Sequence, residues 1–305
     1  MFSPEQLMTL QAVVEEGTVQ AAADRLRVTP SAVSQQLGRL HRAVGHPVMV
    51  RRGRRLVPAD AAAVLVDAAR ELQGLDERTR ARLEALREEV SGPLVLAGFP
   101  TALLGLVVPA VGLLAARHPD LELTVHEMSP EASMHALRRG GVDIAVVHDW
   151  TDREVVVGGG VQAHLLGLDP VDLIAPGSSR LRAGPDGVDL DDLRDQVWVD
   201  DSPGVYSDWL RGALTARGLE HRIGATVESS APRLALVSQG FGLCLLPRLG
   251  RESLPEGLVG LPLAEAPTRR IHAVHREDSA RRPAVAVALS AMREVWREQE
   301  LLPDG

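Results

Sequence analysis

One cysteine in 305 residues, Cys244, rules out an internal disulfide. The chain is therefore expected to work in the cytoplasm. Lysine is absent too, so all 33 basic residues are arginines. Aromatic residues make up only 3% of the chain, against 45% hydrophobic residues, so the cores must be built from leucine, valine and alanine. No long apolar run is present: the most apolar stretch, Leu103–Ala116, is too short for a membrane span and ends at Arg117. The first ten residues lack a basic-then-apolar export signal and read instead as a helix capped at Ser3-Pro4. Histidines show no i,i+4 pair around a glutamate and no cysteine partner at zinc-like spacing, so no metal and no cofactor is expected. Cys244 lies in the apolar run GFGLCLLP, which predicts a buried, inert thiol rather than a redox sensor.

What the chain does have is concentrated at residues 18–45, TVQAAADRLRVTPSAVSQQLGRLHRAVG. This stretch reads as two short helices joined by a tight turn. Thr18 follows Gly17 and caps the first helix, turning Ala21, Ala22 and Leu26 inward. Thr29 caps the second, which begins with Pro30, where a missing N–H costs nothing. Val33, Leu37, Leu40 and Val44 fall on one side of that helix. Ser31, Ser34, Gln35 and Arg39 are left on the other. A second helix that displays hydroxyls and amides outward suits the DNA major groove, where such groups bond base edges.

The next residues strengthen that reading. Val48-Met49-Val50 and Leu56-Val57 predict two short strands around a basic turn, Arg51-Arg52-Gly53-Arg54-Arg55. Four arginines around a glycine form a β-wing that tracks phosphates, giving affinity without sequence information. Residues 1–58 carry a net charge of about +4 on a chain of −8, so the remainder is strongly acidic. One end of this protein is built to face double-stranded DNA.

Residues 59–90 contain no proline and a single glycine, Gly74. Leu65, Ala68, Leu72, Leu75, Leu83, Leu86 and Val90 recur at spacings that predict one long helix with an apolar seam. Such a seam needs a cover, either the chain's own C-terminal part or, the reading adopted here, the same helix of a second copy. Ser91-Gly92-Pro93 breaks the helix, and strands and helices then alternate. Strands are expected at Leu94–Ala97, Leu121–Val125 and Val142–Val147, with helices at Thr101–Arg117 and Glu131–Arg139. A more irregular region near Gly158 opens a second lobe. It has strands at Val171–Ala175, Val197–Val199, Gly224–Val227 and Gly242–Leu246, with helices at Ser207–Arg217 and Pro232–Gln239. Strand Arg270–His275 and helix Ala284–Arg297 complete the chain. This alternation predicts largely parallel sheets in two α/β lobes that enclose a ligand cleft.

Several of these motifs, in this order, resemble the LysR-type transcriptional regulators nearly end to end. They are GTVQAAADRL, TPSAVSQQLGRL, VG, Arg51 with RLVPAD, then GPLVLAGF, VVPAVGLLAARHPDLELTV, LRRGGVDIAVV and LALVSQGFGLCLLP. Some positions depart from the family pattern: Leu10, His41, Val48-Met49, Val57 and Asp60, and the wing is slightly short. The apolar exchanges keep a packed core. The resemblance implies a winged helix–turn–helix domain at 1–58, a linker and dimerisation helix at 59–90, and a two-lobed α/β, periplasmic-binding-protein-like effector domain at 91–305. Lobe I would then be 91–160 with 267–305, and lobe II 161–266. It further implies a homodimer or homotetramer on an interrupted inverted repeat, with a small-molecule effector in the cleft and no membrane.

Candidate DNA contacts are Thr29, Pro30, Ser31, Ser34, Gln35 and Arg39 on the recognition helix, with Arg51, Arg52, Arg54 and Arg55 on the wing. Ser34 and Gln35 are the base readers, since glutamine bonds adenine bidentately. For the effector, the resemblance points to Pro100, Thr101 and Ala102 at the turn after the first strand. Ser129, Asp201, Ser202 and Ser229 are the corresponding loop residues. Asp200, Asp201 and Glu228 in or near these loops would disfavour a bare anion and favour an amine or polyol. The alternative reading is an enzyme or solute-binding protein on the same scaffold. Against an enzyme, the C-terminal half has no GxSxG elbow, P-loop or paired Cys/His nucleophile.

Overall fold

A computed structural model describes residues 2–53, 55–86, 89–150, 159–201, 205–251, 254–266 and 268–300. The chain divides into two compact units, Met1–Leu83 and Glu84–Gly305.

The first unit holds α1 (Pro4–Glu16), α2 (Val19–Leu26), α3 (Pro30–Val44), a hairpin of β1 (Met49–Arg52) and β2 (Arg55–Pro58), and most of α4 (Asp60–Glu84). Local chemistry sets each helix start. Ser3 and Gln6 form a reciprocal capping box, and Thr18 and Thr29 accept from the amides of Ala21 and Ala32. Gly17 and Gly45 end α1 and α3 in the left-handed conformation, at φ 72° and 74°. Leu10, Val13, Ala22, Ala23, Val33, Leu37 and Leu40 pack into one core, joined by Ala62, Leu65, Val66 and Ala69 of α4. The start of the long helix therefore completes the winged-helix core. A boundary at residue 58, as expected from sequence, cuts through one packed unit.

The second unit contains two lobes. A five-stranded sheet in the order β4-β3-β5-β12-β6 forms the first, from β3 (Gly92–Gly98), β4 (Leu121–Glu127), β5 (Ile144–Trp150), β6 (Val161–Asp169) and β12 (Arg269–Arg276). Alternation along the strands divides the side chains between two cores. Leu94, Leu96, Ile144 and Ile271 pack with the helix running from 100 to 117 and with α10 (Pro283–Glu300), while Ala97, Ala145 and Val274 pack with α7 (Pro130–Arg138). The helix from 100 to 117 is long and apolar enough to cross a membrane. In this fold Ala102, Leu106, Val107, Ala110 and Leu114 are instead buried in the first-lobe core. It comprises α5 (Pro100–Ala102), a π-helical turn at Leu103–Val107 and α6 (Val108–Arg117).

The second lobe has an antiparallel sheet, β10-β7-β11, built from β7 (Val171–Pro176), β10 (Cys244–Pro247) and β11 (Leu258–Pro262). A parallel pair, β8 (Val197–Asp200) and β9 (Arg222–Thr226), joins it through a bridge between Trp198 and Leu243. Helices α8 (Val205–Ala216) and α9 (Ser230–Ser238) accompany these strands. Cys244 is fully buried, and burial pushes its thiol up to about 12, which leaves it protonated and inert.

Three expectations change. Residues 161–169 are expected in the second lobe with no strand of their own, but they form β6, which pairs with β12 along its length and edges the first-lobe sheet. Only part of the sheets is parallel, since β12 returns antiparallel to both its neighbours. The long helix ends at Glu84, short of residue 90.

Candidate DNA-binding surface and effector cleft

On α3 the inward positions Val33, Leu37 and Leu40 are buried. Thr29, Pro30, Ser31, Ser34, Gln35 and Arg39 are all exposed, so the predicted reading face is free in the single chain. Thr29 holds its cap at 3.2 Å, which gives its side chain a structural task. In the wing, Arg52 lies opposite Arg55 and Gly53 takes φ 61° in the turn between them. Arg51, Arg52 and Arg55 thus stand on the strands that flank the turn. Arg51 and Arg52 are exposed. Arg54 lies outside the described residues, and Arg55 is described in its backbone only. Arg25 is not part of this surface, because it pairs with Glu15 at 2.7 Å and ties α2 to α1.

In the second unit the crossings between lobes converge on one residue that sequence reasoning missed. Arg269, at the start of β12, lies opposite Trp150 on one side and Asp169 on the other, where β5 and β6 end. Its guanidinium is buried against the Asp169 carboxylate, Nε donating at 3.0 Å. The same group donates to Thr101 Oγ1 at 3.1 Å and lies 5.0 Å from the centre of the Phe99 ring and 5.9 Å from that of Tyr206. Asp169 also accepts from the Leu249 amide at 2.8 Å. Thr101, predicted to hold an effector, is therefore already held by a buried cation.

Three of the eight aromatic residues, together with His148, lie at the same place. Phe99, His148, Trp150 and Tyr206 form an edge-on ladder with centroid spacings of 4.8, 5.6 and 4.8 Å, leading from the first-lobe core into the second. Burial, helped by the charge of Arg269, lowers the His148 pKa to about 3. The unfolded chain protonates this histidine near 6.5, so it binds more protons than the native state between those values. Stability is thus expected to fall as pH drops from about 6.5 towards 3. At pH 4.5 the loss from this group is roughly 2–3 kcal/mol. Urea titrations at pH 7 and 4.5 check this: His148→Phe should lose less stability between the two than the parent, and equal losses would refute the assignment.

The remaining predicted effector residues divide. Asp201 pairs with the buried Arg233 at 3.2 Å. Asp200 accepts from the Asp201 amide and from Ser207 Oγ, and Glu228 is exposed. The acidic charge expected to repel a bare anion is largely engaged within the protein, and that expectation loses its basis. Pro100 is exposed at the cleft turn, but Ala102 is fully buried in the first-lobe core. Ala102 thus packs into the core instead of lining an open cleft surface, because its turn of the helix faces the sheet. Ser129 Oγ caps α7 through the Ala132 amide, and Ser229 stands exposed at the start of α9 without a side-chain cap bond. Among the described residues, neither hydroxyl bonds the guanidinium of Arg269 or Arg233. Ser202 lies outside the described residues. Arg233 and Arg269 carry no local motif, and only the scarcity of aromatic residues hinted that the lone Tyr206 matters.

Residues 4–63 match the family of bacterial regulatory helix–turn–helix proteins of lysR type, and residues 87–297 match the LysR substrate binding domain. The chain belongs to the LysR family. Its two matched parts are a DNA-binding helix–turn–helix and a substrate-binding domain of LysR type. It is 30% identical to the lysine export transcriptional regulatory protein LysG of Corynebacterium efficiens over 86% of this chain and 84% of that protein. It is 29% identical to a probable RuBisCO transcriptional regulator of Trichormus variabilis over 48% of this chain, and the chain spans only 43% of that relative's length. Full-length OxyR from Pseudomonas aeruginosa shares the fold at a TM-score of 0.67, with 18% identity over 96% of this chain and 98% of that one.

Proposed function

We propose that this LysR-type regulator binds an interrupted inverted repeat through α3 and the wing, and that a small molecule in the cleft alters this engagement. The observation that carries the reading is the exposed row Ser31, Ser34, Gln35 and Arg39 beside the exposed Arg51 and Arg52. Pairing of two copies through α4 is supported by Leu72, Leu75 and Leu83, which are 39%, 55% and 60% exposed in the single chain. A dimer or a tetramer presents recognition helices to related half-sites. Action on DNA places the protein in the cytoplasm. In the effector domain, Thr101 and Asp201 support the cleft assignment because each touches a buried arginine there.

The test is a gel-shift titration on the DNA upstream of the protein's own gene against random DNA of equal length, at several salt concentrations. Gln35→Ala is expected to weaken operator binding by about 1–3 kcal/mol and leave random DNA unchanged. Arg52→Ala should weaken both alike and reduce the salt slope by about one. Equal losses on both DNAs for Gln35→Ala would remove it from the reading face.

A further inference from the structure

Among the described residues of the first unit, four take positive φ: Gly17, Arg27, Gly45 and Gly53, at 72°, 55°, 74° and 61°. Glycine adopts this left-handed conformation at no steric cost, whereas a side chain is strained in it. Arg27 is the exception in the set. It ends α2 in a double-bonded turn, its amide donating to Asp24 O at 3.3 Å and that of Val28 to Ala23 O at 3.0 Å. This turn uses the backbone alone, and glycine would make it as well, as Gly17 and Gly45 do for α1 and α3.

The fold makes no corresponding use of the guanidinium. Arg27 is exposed, and its side chain has no hydrogen bond or ion pair among the described residues. The charges beside it are engaged elsewhere: Asp24 accepts from Gln20 Nε2 at 3.0 Å, and Arg25 pairs with Glu15. A cation also suits a helix C-terminus, but Arg25 already stands in the last turn of α2. Position 27 lies two residues before Thr29, the cap of α3. Arg27, Val28, Thr29, Pro30 and Ser31 form one exposed run onto the reading face. A strained residue with an unengaged side chain points to a task outside the chain. The anion that this face meets is the DNA backbone, and a guanidinium matches a phosphate with paired N–H donors.

We infer that Arg27 grips a DNA phosphate at the edge of the groove that α3 enters. The inference rests on the reading of α3 as the DNA-facing helix and adds a contact from the turn before it. Such a contact supplies affinity and register but no sequence information.

Gel-shift titrations of the full chain on the upstream DNA and on random DNA, over about 50–200 mM salt, test it. Arg27→Gly and Arg27→Gln should each weaken both DNAs alike, by about five-fold per bound subunit at about 0.15 M salt. Each should also flatten the salt slope by about one per subunit. Arg27→Lys keeps the charge and should keep the slope. By circular dichroism, Arg27→Gly should hold the melting midpoint or raise it by up to about 2–4 °C, because glycine relieves the left-handed strain. A variant that folds as well but binds DNA less separates contact from folding. Unchanged affinity and slope in Arg27→Gly and Arg27→Gln, or a loss confined to the upstream DNA, overturns the proposal. So does a lowered midpoint in Arg27→Gly, since the arginine would then serve the end of α2. The parent chain keeps the two readings apart. If it prefers the upstream DNA and the Arg27 variants match it, this contact alone falls; if it binds neither DNA, both readings fall.

Discussion

Arg269→Met is expected to destabilise the effector domain by about 3–5 kcal/mol, because it strands the Asp169 carboxylate in the interior. Asp169 is 1% exposed, and the Leu249 amide is the other partner it keeps. The same change releases Thr101 Oγ1 and takes the cation from between Phe99 and Tyr206. Methionine fills much of the arginine stem's volume, so the loss reports charge more than packing. The check is urea unfolding of Arg269→Met, Asp169→Asn and the double variant, followed by tryptophan fluorescence. The double variant should recover a substantial part of the loss, since it buries no unpaired charge. A single variant within 1 kcal/mol of the parent would show that the carboxylate finds water and that Arg269 does not hold the lobe crossing.

Gly105→Ala is the second large effect, expected to cost about 2–4 kcal/mol by overpacking. A Cβ built at Gly105 would lie 2.4 Å from the backbone nitrogen of Gly250 and 3.0 Å from its Cα. The clash is with main chain, so no side-chain rotation relieves it. Gly250 is equally constrained, at φ 70° with Thr101 O only 2.3 Å from its own virtual Cβ. Two glycines thus let the segment after β10 press against the first-lobe helix beside Thr101. The π-helical turn at Leu103–Val107 contains Gly105. Gly112→Ala on the same helix is the control: nothing lies within 4 Å of its virtual Cβ, and alanine there should be neutral or stabilise by about 0.5–1 kcal/mol. Similar melting shifts for both variants would mean that the contact yields and the lobes are not pinned there.

The DNA-reading end was legible because its signals are local. A hydroxyl three residues before the amide it caps, a proline at the first helical turn and apolar residues at helical spacing all act within a few residues. Thr18, Thr29 and the face Ser31, Ser34, Gln35 and Arg39 came out where those rules put them. The effector cleft was legible only in outline. Pattern and spacing located the turn at Thr101 and most of the strands, but neither β11 nor the edge strand β6. Its place depends on pairing with β12, a hundred residues on.

Residue order alone therefore settles that a winged helix–turn–helix begins this chain, that its basic side faces outward and that two α/β lobes follow. Which charges are free in the cleft was decided by tertiary structure. Asp201 looked like exposed acidity until the fold brought Arg233 to it, and Thr101 looked available until β12 delivered Arg269. Ion pairs and close backbone approaches join residues far apart in sequence, and burial makes them strong. Neither separation nor burial is written in a local pattern.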